Sequence, residues 1–333
     1  MASIKALLEA FDEPILLIAG NRLVAANGAA REIVGNRMIN GDVRLAIRHP
    51  AVLELIASGK AGSIDIEGIG RVDRPWRIQS HPLDNGDVLL RLIDQAAIRA
   101  AEQMRVDFVA NASHELRTPL ATILGYAETL AEPEDLPTET RTAFAQTVRT
   151  EARRMLGIIE DLMGLSRIEA DRFVAPTAKV DLSQVVVRAI DDCAELAKRR
   201  GCSIKFAAPD NATWIAGDDG QLVQMLDNII GNAIRYGCSK DQCQVDIAVS
   251  EVRGRVRLEV RDHGEGIAPE HLPRLTQRFY RIDPARSRES GGTGLGLAIV
   301  KHIAERHRAS LDIASAPGKG TRVSLEFPNF AGR

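Results

Sequence analysis

The sequence predicts a multidomain α/β protein built around two long helices, and three patterns carry that expectation. Strand-like and short helical runs share residues 1–95. An amphipathic helical period then fills 96–171, and strands and helices alternate again over 179–330. A chain of 333 residues has room for the two or three domains this implies.

Within residues 1–95, Ile15 to Ile18 and Arg22 to Ala26 are strand candidates on either side of a Gly20-Asn21 turn. A short helix is expected over Ala29–Val34. A less regular helical stretch covers Val43–Ser58 and is broken near Pro50, whose ring removes a backbone donor. Ser63–Ile69, Trp76–Ser80 and Val88–Ile93 complete the set as strands, with Asp84-Asn85-Gly86 turning between the last two. Two strands, small helices and three strands in that order resemble a PAS sensor module. A generic α/β domain with a structural role shows the same order.

The helix from 96 to about 131 would be roughly 50 Å long, too long for a compact single-chain domain. Pro133 to Pro137 ends it, and Thr138-Glu139-Thr140 starts a second helix that reaches about Asp171. The first helix carries an apolar stripe of Val106, Val109, Leu116, Leu120, Ile123 and Leu124. The second carries Phe144, Val148, Met155, Ile159, Leu162 and Leu165. A two-helix hairpin cannot bury both stripes alone, so residues 96–171 are expected to form a four-helix bundle with a second copy, as an obligate homodimer. Beyond a linker holding Pro176, helices are expected over Leu182–Arg200, Asp218–Tyr236 and Leu295–Arg306. Strands are expected at Ser203–Phe206, Gln244–Ser250, Arg255–Arg261, Ser310–Ser315 and Thr321–Phe327.

Composition excludes several classes. The formal net charge is −2 and aromatic residues make up 4%, which provides neither a basic field nor stacking platforms for nucleic acid. Cys193, Cys202, Cys238 and Cys243 form no CxxC pair and have no histidine pair at zinc spacing, so they are expected as reduced structural thiols. Met1 to Glu13 lacks the basic-then-apolar order of a signal peptide. The longest apolar run nearby, Pro14–Ala19, is far below the roughly 18 to 20 residues of a spanning helix. No transmembrane segment is expected in this chain.

A candidate reactive group stands in Ser113-His114-Glu115-Leu116-Arg117-Thr118-Pro119. His114 and Thr118 lie at i and i+4 on one helix face, and the long Glu115 side chain can reach the imidazole. A nucleophile, a nearby base and a hydroxyl on a rigid element form a site-like cluster. In isolation, a surface histidine on a helix reads the same way.

Downstream there is no GxxxxGK[ST] and no GxGxxG between strand and helix, which removes the P-loop and dinucleotide fingerprints. Three other elements converge. In the run from Gln224 to Tyr236, Asn228 and Asn232 share a helix face. Their neutral amide oxygens suit Mg²⁺, and Arg235 is close enough to contact phosphate, although an exposed polar stripe would look alike. Asp262-His263-Gly264-Glu265-Gly266-Ile267 puts a carboxylate at a strand end, where it can accept from an exocyclic amine such as that of adenine. Its glycines let a flat ring approach the backbone. Gly291-Gly292-Thr293-Gly294-Leu295-Gly296-Leu297-Ala298 opens a helix whose free N–H groups and dipole favour an anion such as phosphate. Phe279-Tyr280-Arg281 lies in a loop between Ile267 and Gly291 that is long enough to act as a lid. Gly318-Lys319-Gly320-Thr321, a turn between the last two strands, is a weaker fourth piece.

In this order, His114-Glu115-Leu116-Arg117-Thr118-Pro119, the Asn228/Asn232 helix, Asp262-x-Gly264-x-Gly266, Phe279-Tyr280-Arg281 and Gly292-Thr293-Gly294-Leu295-Gly296-Leu297 resemble five boxes of bacterial two-component sensor histidine kinases. These are the H, N, G1, F and G2 boxes, and the match covers roughly residues 100–328. The region before the H box, with Arg48-His49-Pro50-Ala51-Val52-Leu53 in its middle, is similar to the cytoplasmic part of phosphate-regulon sensor kinases. The resemblance implies three domains. These are a PAS-like α/β sensor domain at 1–95, a dimeric helical-hairpin four-helix bundle at 96–171, and an α/β-sandwich ATP-binding domain of the histidine kinase/Hsp90-like superfamily at 179–330.

The same resemblance implies ATP and Mg²⁺ as cofactors. His114 would take the γ-phosphoryl group and pass it to an aspartate of a separate response regulator, since no receiver domain lies in this chain. Glu115 would be the general base, and Thr118 would orient a water for dephosphorylating the regulator. Asn228 and Asn232 would hold Mg²⁺ and Asp262 would read adenine. Arg235, Tyr236, Gly264, Gly266, Ile267, Gly292, Thr293, Gly294, Leu295, Gly296 and Leu297 would complete the nucleotide site. Two departures are mild: Arg235 stands where a lysine is usual, and Gln277 where a glutamate is frequent. The chain is expected in the cytoplasm. It would either read a cytoplasmic cue or be tied to the inner face of the cell membrane through a membrane-protein partner or an anchor beyond this sequence. Two rivals are a nucleotide-binding scaffold that does not phosphorylate itself and a mechanical ATPase of the same superfamily. The intact His114, Glu115 and asparagines argue against the first, and the long helical hairpin against the second.

Overall fold

The computed structural model describes residues 2–69, 72–132, 136–171, 174–209, 211–237, 243–283 and 292–330. They part into two units, Met1–Ala110 and Asn111–Arg333.

In the first unit, alternating apolar residues build one antiparallel sheet. Its strands are β1 (Ile15–Ala19), β2 (Arg22–Ala26), β3 (Gly62–Ile69), β4 (Val72–Pro82) and β5 (Val88–Asp94), in the order β2-β1-β5-β4-β3. Along β5 only every second residue, Val88, Leu90 and Leu92, is fully buried, as a sheet with one covered face requires. Four helices accompany it: α1 (Ala2–Leu8), α2 (Gly28–Val34), α3 (Val43–Ala46) and α4 (Pro50–Ser58). Pro50 occupies the first turn of α4, where its missing N–H costs nothing, so the expected break becomes a helix start. Asn27 is buried and fully used. Its Oδ1 accepts from the Ile15 and Ala30 N–H groups, while Nδ2 donates to the Phe11 and Glu13 carbonyls. Helix α1 has no counterpart among the elements expected from sequence.

The long helices follow as α5 (Ala96–Ala131) and α6 (Thr138–Ala170). Most of the expected break, 133–135, lies outside the described residues. In the second unit α6 packs on α9 (Gly296–Arg306) and buries Ile158, Leu165 and Ile168. This corrects the single buried stripe expected on α6, because Leu165 is covered by its own chain. Members of both stripes are open: Val106 is 62% exposed, Val109 58%, Leu120 45% and Leu124 53% on α5, and Ile159 40% on α6, while Leu116, Ile123, Phe144, Val148, Met155 and Leu162 are half-buried. So wide an apolar band on helices of this length is the signature of a missing partner surface.

The remainder of the second unit is a helical layer on a sheet. Strands β7 (Ser203–Ala207), β9 (Gln244–Val252), β10 (Arg255–Asp262), β11 (Ser310–Ser315) and β12 (Thr321–Pro328) lie in the order β11-β12-β10-β9-β7. Among the described residues only β7 and β9 run parallel in this sheet. A short pair, β6 (Lys179–Asp181) with β8 (Trp214–Ala216), stands apart. Helix α7 (Leu182–Arg200) and helix α8 (Asp219–Tyr236) are capped by Asp181 and Asp218. Helix α8 packs between α7 and α9 and over β9 and β10.

Cys193 and Cys202 are free thiols, and burial pushes the Cys193 thiol up to about 11. Cys243 is disulfide-bonded, which corrects the expectation of four reduced thiols. Among the described residues no helix is long and apolar enough to cross a membrane.

Candidate functional site

Helix α8 has two faces. Leu222, Met225, Leu226, Ile229, Ile230, Ala233 and Ile234 are buried at helical spacing, which fixes its rotation on the sheet. Asn228, Asn232, Arg235 and Tyr236 therefore line a cleft of 490 Å³. Asp262, the last residue of β10, and Gly266 and Ile267 just past it form a second wall, and Gly292, Thr293, Gly294, Gly296 and Leu297 a third. Three stretches separated in sequence thus meet in one cavity, with Val260, Ile313 and Val323 of the sheet among its lining. Gly264 and Leu295, expected at the site, stand behind its wall. Leu295 is fully buried in the core, and a Cβ on Gly264 would lie 2.6 Å from the Gly237 Cα, so Gly264 serves close packing.

Asp262 is held at the cleft by its neighbours. Its Oδ1 accepts from the Gly264 N–H at 3.0 Å and the Thr321 N–H at 3.1 Å, which leaves Oδ2 for a ligand. Burial pushes its carboxyl above the usual range, and the two N–H donors pull against that shift. The turn at 318–321 is what delivers the Thr321 donor. Gly320 has φ +71° and its missing Cβ would fall 2.1 Å from the Asp262 carbonyl oxygen, so no other residue fits.

Asn228 donates Nδ2 to the Gln224 carbonyl at 2.9 Å, and its Oδ1 lies beside Gly296, 2.5 Å from where a Cβ would stand. An amide oxygen turned into a glycine-cleared space suits a hard cation that takes its charge from phosphates. Among the described residues no cluster of three or more histidines, cysteines or carboxylates could hold a metal. At the lid, Phe279 adopts φ +61° and donates its N–H to the Gly294 carbonyl at 2.8 Å, tying the lid stretch to the glycine loop. Tyr280 is fixed by His271 Nδ1 at 2.7 Å and by Arg274, 4.4 Å above its ring. Residues 284–291 of the expected lid, Gly291 included, lie outside the described residues.

His114 and Thr118 are exposed and stand outside the cleft lining. Thr118 Oγ1 donates to the His114 carbonyl at 3.3 Å. Pro119 lacks the N–H that would bond the Glu115 carbonyl, so the helix is locally loosened at the reactive turn. The Glu115 carboxylate joins this turn to the cleft. Arg281 Nη2 reaches Oε2 at 2.9 Å, and Arg154 Nη2 reaches the same oxygen at 3.3 Å.

Sequence reasoning missed several lining residues. Leu275, Ile282 and Asp283 come from the lid stretch, beside the Tyr280 and Arg281 expected there, and Gly157, Glu160 and Asp161 from α6. Thr293 Oγ1 donates to Asp161 Oδ2 at 2.6 Å, and burial raises that carboxyl. Arg278 pairs with Glu169 of the same helix. The available signal was the spacing of Ile158, Asp161, Leu165 and Ile168, which puts one carboxylate on an otherwise buried face.

Comparison with known proteins agrees with this layout. Residues 104–171 match the His Kinase A (phospho-acceptor) domain family, and residues 217–330 the histidine kinase-, DNA gyrase B-, and HSP90-like ATPase family. The chain is 36% identical over 323 residues to the phosphate regulon sensor protein PhoR of Pseudomonas aeruginosa, covering 95% of this chain and 72% of that protein. It is 38% identical over 237 residues to the sensor-like histidine kinase SenX3 of Mycolicibacterium smegmatis, covering 71% of this chain and 61% of that one. A crystal structure of full-length ShkA in complex with AMPPNP matches 69% of this chain and 46% of that one, with a TM-score of 0.50 at 28% identity.

Proposed function

The chain belongs to the two-component sensor histidine kinases and is an ATP-using protein-histidine kinase, and on that premise we propose how its own residues carry the reaction. The observation that carries the proposal is the single cleft in which the 228–236, 262–267 and 292–297 stretches meet, with Arg281 linking it to Glu115. Asp262 Oδ2 accepts from the exocyclic amine of adenine, and Gly266 and Ile267 lie against the ring. The 292–297 loop and Arg235 receive the phosphates. Asn228 and Asn232 would hold Mg²⁺, which supplies charge neutralisation to the phosphates.

An imidazole nitrogen of His114 attacks the γ-phosphorus. A P–N bond forms, the P–O bond to ADP breaks, and the imidazole proton passes to Glu115. Most of the rate comes from placing these groups, so movement of the cleft relative to His114 is the natural control point. The acceptor of the second transfer is an aspartate of a separate response regulator. Thr118, with its hydroxyl one turn beyond His114, orients a water for the reverse task on that partner.

The exposed bands of α5 and α6 bury each other in a homodimer. We keep the domain division 1–95, 96–171 and 179–330, with the first part a PAS-like sensor. A cytoplasmic location, with the signal arriving directly or through a membrane-protein partner, completes the proposal. The test is phosphotransfer profiling. The full chain, loaded with ATP and Mg²⁺ and mixed with purified receiver domains, should hand its label to an aspartate of a cognate one. A loaded chain that keeps its label against every receiver domain of its own genome contradicts the second transfer.

A further inference from the structure

Arg281 belongs to two places at once, the cleft and the turn that carries His114. Its side chain lines the nucleotide cleft. Its Nη2 and Nη1 nevertheless hold Glu115 Oε2 and Oε1 at 2.9 and 3.4 Å, and only 6% of the side chain is exposed. Its Nε is buried without a hydrogen-bond partner among the described residues. A guanidinium presents a rigid fork of donors that fits carboxylate and phosphate alike. The anion it meets in the structure is Glu115, the carboxylate beside the phosphoacceptor. A polyphosphate entering the cleft brings a second, more highly charged anion to the same fork.

Glu115 would not be left adrift by that exchange. Arg154 touches its Oε2 at 3.3 Å from the opposite helix, is only 10% exposed, and is braced by Glu151 at 3.8 Å. One arginine therefore orients the carboxylate from the helical hairpin, while the other ties it to the cleft and is free to choose a better partner.

We propose that Arg281 exchanges Glu115 for nucleotide phosphate, so that filling the cleft releases the carboxylate beside His114 to take its proton. The proposal rests on ATP being the ligand of the cleft. The exchange makes and breaks no covalent bond. It keeps the base idle while there is nothing to transfer, and it frees the base in the step that brings the phosphoryl donor. Linkage makes the effect reciprocal: whatever holds Arg281 on Glu115 opposes nucleotide binding by the same amount.

That reciprocity gives a test that does not depend on turnover. Titration calorimetry on the full chain would compare a non-hydrolysable ATP analogue with Mg²⁺ against adenosine, for the wild type, Glu115→Gln, Arg281→Gln and the double variant. Glu115→Gln keeps the side-chain shape and should tighten the analogue about tenfold, while adenosine, which has no phosphate, is unchanged. Arg281→Gln should weaken the analogue, and in that background Glu115→Gln should have no further effect. Arg281→Lys, which keeps the cation without the fork, guards against misfolding and should fall between wild type and Arg281→Gln. The proposal is overturned if Glu115→Gln leaves the analogue's affinity unchanged or lowers it, if the gain persists without Arg281, or if adenosine gains equally. Failure of the wild type itself to bind the analogue would instead remove ATP from the cleft.

Discussion

Replacing Gly296 by alanine separates the stability of the fold from the chemistry of the cleft. The new Cβ would lie 2.5 Å from Asn228 Oδ1 and 3.3 Å from its Cγ, so the amide has to turn. Turning gives up the bond from Nδ2 to the Gln224 carbonyl, 2.9 Å long, at a cost of about 0.5–1.5 kcal/mol. Against this, alanine at the first position of α9 is favoured over glycine by up to about 0.5–1 kcal/mol through reduced unfolded-state entropy. The two nearly cancel, and the unfolding midpoint should move by no more than about 4 °C. The cleft fares differently, because the displaced amide is one of the two proposed Mg²⁺ ligands. Affinity for Mg²⁺-ADP should fall at least about tenfold, and the benefit of adding Mg²⁺ should largely disappear. Calorimetric titration with ADP, with and without Mg²⁺, beside a thermal melt, reads both quantities. A well-folded Gly296→Ala chain with wild-type affinity for Mg²⁺-ADP would refute the proposed role of Asn228.

Asp262→Asn retains an Oδ1 for the Gly264 and Thr321 N–H groups but sets an amide donor against the exocyclic amine of adenine. ADP affinity should drop by about ten- to a hundredfold with little change in melting, and an unchanged dissociation constant would take Asp262 out of adenine recognition. Burial and the like charge of Asp192 push the Asp227 carboxyl up to about 6, and its Oδ1 is buried without a hydrogen-bond partner among the described residues. Its raised folded-state value means that ionisation destabilises the fold above that pH. Asp227→Asn should therefore raise stability at pH 8 by on the order of 1 kcal/mol, with the gain fading as pH falls through about 6 and gone below the ordinary carboxyl value of 3.8. A pH-independent effect contradicts this. Leu120→Glu with Leu124→Glu puts two charges in the exposed band of α5, where the wild-type residues are 45% and 53% exposed. Sedimentation should show a folded monomer in place of a dimer, and a dimer that survives both charges means the second copy docks elsewhere.

Local patterns were legible in the sequence and remote pairings were not. Helix α6 runs over Thr138–Ala170, within a residue of its expected end, because a cap and an apolar period are written in adjacent residues. Strands β9 and β10 were legible for the same reason, each burying one alternate set. β6 and β8, three residues each, are too short for any alternation to register. The glycine and asparagine motifs could be named one by one, but their meeting in one cleft depends on the order β12-β10-β9 and on the rotation of α8. The 318–321 turn looked incidental until the sheet brought its Thr321 N–H to Asp262. Hardest to foresee was the pairing of Glu115 with Arg281, 166 residues apart, since no period or spacing connects them. Asp161 escaped because α6 carries two apolar stripes. The one facing α9 contains this carboxylate, and the other stripe, left open, was the easier to see.

The central claim is that nucleotide held in this cleft phosphorylates His114. The most direct measurement incubates the full chain with γ-labelled ATP and Mg²⁺, then follows the label through acid and base treatment in wild type and His114→Gln. Label on the wild type that is lost in acid and stable in base, and absent from His114→Gln, is the predicted result. Label of equal amount on His114→Gln, or label that resists acid, would contradict it.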